Sequence, residues 1–340
     1  MRVLFFCDLA GSFGNATRIS KVYQYLASSK NHLIPFNLYQ FHDSKLKLLS
    51  NPGFVASTVK NLQQLDLAYL KSEAFISLGI SALKAAVRKH RPDLIFAEET
   101  RTAYMALKNG RNVPVIADLH GLISAEYAED PNTKISNGHL ARLQEIEDEV
   151  CKNAQDILVV SEPMKEYLAH EYGAAGHKIT VLQNGTDLYP KTASYSSKMK
   201  CVFGGIFNHW EDVDTYLNMA IRDPVNEYVL IGKGPLKKHL LQRIDREKIN
   251  VKYLGSMDRR SSLDLFCTMS IGIAPSTRNI TRRVASPVKV YDYMSCGLPI
   301  ITADCGQWAR QVKENGCGFV AEESTAVEFL EYAARLQDRG

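Results

Sequence analysis

The densest concentration of candidate chemistry lies between Ala285 and Pro299, which reads ASPVKVYDYMSCGLP. Ser286 and Pro287 have the chemistry of a helix start, because serine can cap free first-turn amides and the fixed φ of proline suits the opening turn. Those amides and the positive end of the helix dipole form an anion site, so Ser286, Pro287, Val288 and Lys289 make a candidate phosphate cradle. Lys289 would add a full charge to it. Asp292 follows three residues later on nearly the same face, where a carboxylate can accept both hydroxyls of a ribose. Arg278, Arg282 and Arg283 in the preceding segment are further candidate cations. The plainer alternatives are a cap that binds nothing and loop arginines that are merely solvated.

Other candidates stand at the ends of apolar runs. Gly11-Ser12-Phe13-Gly14 follows the first strand-like run and precedes a helical pattern, so its backbone can approach a ligand closely or simply turn tightly. Gly204-Gly205 occupies the corresponding place in the second half, and Gly232 and Gly234 form another such turn. His120, after Asp118 at a strand end, can donate or accept at neutral pH. Glu98-Glu99 ends the preceding strand and can either bind hydroxyls or cap the next helix. Glu145, Glu147, Asp148 and Glu149 lie on one helical segment and read as a solvated face rather than a metal site. No CxxC, finger-spaced His pair or DxD motif at a strand end occurs, so no metal or cofactor is expected.

These residues need a scaffold. Apolar runs of strand length alternate with helical periodicity along all 340 residues. Strand candidates in the first half are Arg2–Leu9, His32–Phe41, Asp93–Ala97, Val113–Asp118, Asp156–Ser161 and Lys178–Leu182. Helical patterns between them include Asn15–Ser28, Leu62–Lys89, Gly138–Ala154 and Pro163–Tyr172. A polar stretch from Leu188 to Met199 interrupts the alternation and reads as a linker. The pattern then restarts with Lys200–Gly204, Tyr228–Ile231, Val251–Leu254, Ile271–Ala274, Pro299–Thr302 and Gly318–Val320. Continuous apolar strands imply parallel sheets covered on both faces, and hence two doubly wound domains, 1–188 and 189–340.

A hydrophobic fraction of 45% with 23% charged residues suits a soluble globular chain. The net charge of +4 is too small for a nucleic-acid footprint, although its excess lies in the second half and can help to hold a diphosphate. Seven scattered cysteines suggest reduced core thiols, and the absence of a long apolar run points to a cytoplasmic location.

The stretch Ser286–Pro299 resembles the donor-site motif of glycosyltransferase family 4, in the branch reading roughly S-P-x-K-x-x-E-Y-M-x-x-G-x-P. Val181–Asp187 is similar to the family's V-x-x-N-G-V-D segment, Tyr228–Pro235 to its V-G-x-G-P turn, Val251–Gly255 to V-x-F-L-G, and Pro275-Ser276 to P-S. The resemblance implies a GT-B fold, in which two Rossmann-like domains face a central cleft. It also implies transfer of a sugar with retention of anomeric configuration.

The donor implied is a nucleotide-diphosphate sugar, a UDP-sugar in preference to a GDP-sugar, bound as substrate by Gly204, Gly205, Gly232, Gly234, Arg282, Arg283 and the Ser286–Asp292 stretch. The acceptor implied is a glycan, a lipid-linked sugar or another hydroxyl compound in cell-surface polysaccharide or glycoconjugate synthesis. It would be met by Gly11 to Gly14, Glu98, Glu99 and His120. A lipid-linked acceptor allows peripheral contact with the inner face of the cell membrane. His120, Lys289 and Asp292 are the residues the resemblance brings nearest the chemistry.

Two departures stand out. The family's E-x7-E pair falls on Val284 and Asp292, and its phosphate-binding Arg and Lys fall near Ile206 and Glu211. These departures leave room for two other readings, a nucleotide-sugar epimerase of the same fold and a non-catalytic nucleotide-sugar-binding subunit.

Overall fold

The computed structural model describes residues 1–7, 13–29, 31–37, 67–191 and 198–337. Gly11 and Ser12 lie outside the described residues, while Phe13 and Gly14 begin the first helix. The chain folds as two compact units, Met1–Leu182 and Gln183–Gly340. Each unit holds a six-stranded sheet, and every strand pairing is parallel.

In the first unit the strands are β1 (Arg2–Cys7), β2 (His32–Asn37), β3 (Leu94–Glu98), β4 (Val115–Leu119), β5 (Asp156–Val159) and β6 (Ile179–Val181). They lie in the order β2-β1-β3-β4-β5-β6. The helices are α1 (Phe13–Ser28), α2 (Leu67–His90), α3 (Thr100–Leu107), α4 (Ile123–Glu129), α5 (Asn137–Asn153) and α6 (Glu162–Tyr172). Ser161 starts α6 by accepting from the Met164 amide at 3.1 Å, and Gly173 ends it at φ 62.

The second unit contains β7 (Lys200–Ile206), β8 (Glu227–Lys233), β9 (Val251–Tyr253), β10 (Ile271–Ala274), β11 (Ile300–Ala303) and β12 (Gly318–Ala321), ordered β12-β11-β10-β7-β8-β9. Its helices are α7 (Val213–Arg222), α8 (Lys237–Glu247), α9 (Arg259–Phe266), α10 (Ile280–Val284), α11 (Val288–Ser295), α12 (Gly306–Glu314) and α13 (Ala326–Gln337). The described part of residues 183–191 is bonded to this unit. Gln311 donates to the Gln183 side chain at 2.8 Å, and the Tyr189 amide donates to the Ser295 carbonyl at 3.1 Å.

The strands of the second sheet show why the apolar runs do not alternate with polar residues. Cys201, Phe203, Tyr228 and Leu230 face one core cluster, with Tyr216 and Phe329. Their neighbours Val202, Val229 and Ile231 face the other, with Tyr293 and Trp308. Both faces are dry, so both sets must be apolar. Six of the seven cysteines are buried, as core thiols should be. No helix of the described residues is long and apolar enough to cross a membrane.

Gly232 makes one of the two tightest backbone approaches in this sheet, the other being Gly318 against the Ile300 carbonyl. The φ of Gly232 is +139°, and a Cβ placed there would lie 1.8 Å from the Gly205 carbonyl oxygen. At Gly173 an added Cβ meets nothing within 4 Å, so only its left-handed backbone opposes a side chain. Gly173→Ala should therefore cost about 1 kcal/mol, and Gly232→Ala at least about 3 kcal/mol through combined strain and overpacking. Equal midpoint shifts in urea unfolding would refute the assignment of Gly232 to backbone packing.

Candidate functional site

Ligands of doubly wound sheets bind beyond the carboxyl ends of the strands, where the winding direction reverses. In the first sheet that point lies between β1 and β3, and in the second between β7 and β10. Buried ionised groups collect at the corresponding strand ends in both units.

In the first unit Glu98 ends β3, Asp118 lies near the end of β4, and His120 follows it. His120 Nε2 is 3.1 Å from Glu98 Oε2 and 3.3 Å from Asp118 Oδ2, and its Nδ1 is 3.1 Å from Glu99 Oε1. Arg18, brought in by α1, donates through Nε to Asp118 Oδ2 at 3.0 Å, through Nη2 to Asp118 Oδ1, and through Nη1 to the Leu182 carbonyl at 2.6 Å. Burial pushes the Glu98 carboxyl up to about 6. Burial acts on Asp118 in the same direction, but His120 and Arg18 outweigh it and hold that carboxyl below its ordinary value. Burial opposes a charge on His120, yet Glu99, Asp118 and Glu98 together raise the imidazole well above its ordinary value.

Glu99 resolves one alternative left open by the sequence. It occupies the N-cap position of α3 but makes no side-chain cap, and its backbone is held at φ 73 and ψ 157. A non-glycine residue in that region is strained, a feature that concentrates at functional sites. Arg18 was not singled out from the sequence, and Asp118 was read only as the strand-end acid that precedes His120, without its partner. Their pairing spans 100 residues and leaves no local pattern. Glu147, expected on a solvated face, is instead 3% exposed. It accepts from the Ser124 amide at 3.1 Å and hydroxyl at 2.5 Å and from the Tyr172 hydroxyl at 2.6 Å, which makes it an internal brace between helices.

In the second unit α11 packs over the end of β7. The Gly204 amide donates to the Tyr293 hydroxyl at 2.9 Å, and Lys289 Nζ lies 3.2 Å from where a Cβ on Gly205 would stand. A Cβ on Gly204 would meet the Phe266 ring at 2.9 Å, and one on Gly234 the Phe207 carbonyl oxygen at 2.3 Å. The space beside these glycines is thus taken up by protein atoms.

The helix begins one residue later than the sequence suggests. Pro287 is the N-cap, and no side chain caps the first turn. Ser286 is engaged elsewhere: its Oγ accepts from the Asn184 amide at 3.3 Å and lies 3.0 Å from the Tyr291 hydroxyl, while its carbonyl accepts from Asn184 Nδ2 at 2.7 Å. The first-turn amides therefore have no serine side chain on them.

Lys289 and Asp292 share α11 but have different partners. Lys289 Nζ is 2.5 Å from Glu211 Oε2, and its side chain is 9% exposed. It also lies over the Phe203 ring at 4.2 Å. Arg282, beside it, reaches Glu211 Oε1 at 3.5 Å, donates to Ser276 Oγ at 2.8 Å and stacks on Trp308 at 4.9 Å. Burial lowers the Lys289 ammonium to about 8, against the pull of Glu211. Glu211 thus stands as an internal anion between two cations of the candidate phosphate cradle. The adjacent Arg283 is exposed and Val284 is fully buried.

Asp292 accepts from Arg259 Nη2 at 2.7 Å, and the same nitrogen donates to Thr186 Oγ1. Burial raises the Asp292 carboxyl, with Arg259 opposing. Arg259 and Thr186 were also missed by sequence reasoning, because each lies far from α11 along the chain.

Residues 49–189 match the family Glycosyltransferase Family 4, and residues 200–339 match Glycosyl transferases group 1. Sequence comparison with curated proteins finds no match. Among solved structures, sucrose-phosphate synthase from Thermosynechococcus elongatus superposes with a TM-score of 0.77 at 16% identity, covering 99% of this chain and 90% of that one. The lipopolysaccharide outer core galactosyltransferase WaaB gives 0.64 at 15% identity, covering 100% and 91%. Anabaena HepE in complex with UDP-glucose gives 0.64 at 15%, covering 100% and 95%. The fold is GT-B, and the chain is a glycosyltransferase of that type. Its two family matches make it family 4-like.

The Glu211 bridge can be tested without any ligand. Glu211→Gln leaves two buried cations without their carboxylate and should cost about 3–5 kcal/mol in urea unfolding. Adding Lys289→Met to that variant should recover a large part of the loss. Strictly additive losses in the two single variants and the double would show that the two side chains are not coupled.

Proposed function

We propose that the chain is a retaining glycosyltransferase that moves a sugar from a nucleotide-diphosphate sugar to a hydroxyl acceptor, a glycan or a lipid-linked sugar, in cell-surface polysaccharide or glycoconjugate synthesis. The observation that carries this reading is α11, which sits at the β7/β10 switch point with an N-terminus free of any side-chain cap and with Asp292 one turn further on. A UDP-sugar is the preferred donor. Solved relatives of the same fold include HepE with UDP and glucose, and TarM with UDP.

In this reading the diphosphate lies on the α11 amides, whose dipoles already point at the charge that develops as the glycosyl bond breaks. The leaving phosphate takes the acceptor proton on the same face from which the sugar departs, which preserves the anomeric configuration. Asp292 accepts ribose hydroxyls, and Arg259 holds its carboxylate in place. His120 and Glu99, at the strand ends of the first unit, meet the acceptor. A non-catalytic nucleotide-sugar-binding subunit is the second reading. The specific observation in its favour is Glu211, which ties up Lys289 and Arg282 and leaves the amides to carry the phosphates.

Isothermal titration with UDP, GDP and ADP tests the site, and anomeric proton couplings of the product from a UDP-sugar test the chemistry. UDP should bind best, and the product should keep the donor's anomeric configuration. Binding without transfer or hydrolysis across acceptor mixtures would leave the binding-subunit reading standing. An inverted product would overturn retention.

Asp292→Asn should weaken UDP binding about ten- to a hundredfold, because it removes one charged hydrogen-bonding group. The loss should be much smaller with 2′-deoxy-UDP, where part of the interaction is already missing. A purely structural Asp292, tied only to Arg259, predicts a lower melting temperature and equal losses for both nucleotides. Additivity in that cycle would remove the ribose contact.

A further inference from the structure

The cluster at the ends of β3 and β4 has a geometry that ion pairing alone does not explain. Glu98 is fully buried, yet among the described residues neither of its carboxylate oxygens accepts a hydrogen bond. His120 Nε2 has carboxylate oxygens at 3.1 and 3.3 Å, from Glu98 and Asp118, but makes a hydrogen bond to neither. Both oxygens lie within reach of the nitrogen and away from the direction in which an N–H would point. A buried carboxylate is normally paired through hydrogen bonds or bound to a metal.

From this convergence we propose that Glu98, Asp118 and His120 form a binding site for one divalent transition cation, held by one imidazole nitrogen and two carboxylate oxygens. One ligand atom from each residue falls within 4.8 Å of the others. Atoms bound to a common zinc-like ion at about 2.0–2.2 Å are separated by roughly 2.8–3.1 Å in cis octahedral and roughly 3.3–3.6 Å in tetrahedral geometry. The two distances from His120 Nε2 lie within those ranges. Mixed imidazole and carboxylate donors suit zinc, manganese or iron better than calcium or magnesium.

The outer contacts fit as well. A metal-bound histidine usually directs its other ring nitrogen to a carboxylate, and here Nδ1 lies 3.1 Å from Glu99 Oε1. Metal-bound carboxylates are themselves held by donors, and Arg18 holds both oxygens of Asp118.

The sequence alone implies no metal, since Glu98, Asp118 and His120 follow none of the standard ligand spacings. The site shares His120 and Glu99 with the acceptor contacts of the transferase reading, but it is tested by metal binding rather than by turnover, so the two readings fail separately. Chelator-stripped protein should bind one equivalent of Zn2+ with a dissociation constant in the micromolar range or tighter. Co2+ in its place should develop a visible absorption band of four- or five-coordinate intensity. Glu98→Gln keeps the side-chain shape and breaks no hydrogen bond, so it should fold normally yet bind Zn2+ at least a hundredfold more weakly and lose the Co2+ band. Glu99→Gln, acting through His120, should weaken binding about 10- to 100-fold. The proposal falls if the stripped protein takes up no stoichiometric Zn2+. It also falls if Glu98→Gln, melting cooperatively, binds metal as the parent does, because the ion would then sit elsewhere. Imidazole nitrogens that both keep a proton by NMR in the presence of saturating Zn2+ would likewise overturn it.

Discussion

A parallel sheet covered by helices on both faces has no wet side along the length of its strands. Charge placed there would be buried without water, at a cost of several kcal/mol per ion. Polar side chains are therefore driven to the strand ends, where the chain turns into a helix. The residues that matter chemically follow this rule closely. Glu98, Asp118 and His120 end β3 and β4; Gly204 and Gly205 end β7; Ser276 follows β10. The hydrophobic requirement of the sheets thus selects the places where a ligand can be met.

The two units solve the resulting electrostatic problem with opposite signs. In the first, among the described residues, carboxylates outnumber cations around one imidazole, and Arg18 holds Asp118. In the second, cations converge on one carboxylate, Glu211, while Trp308 and Phe203 provide aromatic faces for Arg282 and Lys289. The second arrangement is complete as it stands: each ion has a partner within 3.5 Å. The first also gives each ion a partner within 3.5 Å, but among the described residues Glu98 accepts no hydrogen bond. Under the proposed cation site the first unit takes up an additional positive species, whereas the second already supplies its own anion.

How much of this was visible in the sequence depended on distance along the chain. The strands were legible because burial on both faces writes continuous apolar runs, as in Tyr228–Ile231 and Ile271–Ala274. Lys289 and Asp292 were legible as a pair on one helix because helical spacing is local. Their partners were not. Glu211 lies 78 residues from Lys289, Arg259 lies 33 from Asp292, and Arg18 lies 100 from Asp118. No periodicity links such positions, since their proximity is set by the order of strands in the sheet. Glu147 was misjudged for a related reason. Four acids crowded on α5 look solvated, and only the packing of Ser124 and Tyr172 against that helix shows which one turns inward.

Glu211 also bears on how a phosphate site can change its cations and remain a phosphate site. A lysine that holds a phosphate can be neutralised by one substitution elsewhere, whereas the amides at a helix N-terminus cannot be paired off in this way. They stay oriented so long as the helix stays in place. Here α11 is fixed by the Tyr293–Gly204 bond and by the apolar packing of Val290 and Tyr293. Under the transferase reading the amides then become the permanent part of the anion site, and the surrounding charges become adjustable. Glu211 sets Lys289 and Arg282 to hold the wall of the site rather than its contents. The same arrangement accounts for an α11 segment that follows the donor-site pattern while the basic residues upstream of it are gone. Under that reading the backbone supplies the attraction, and the buried triad of Glu211, Lys289 and Arg282 holds the wall beside the helix terminus.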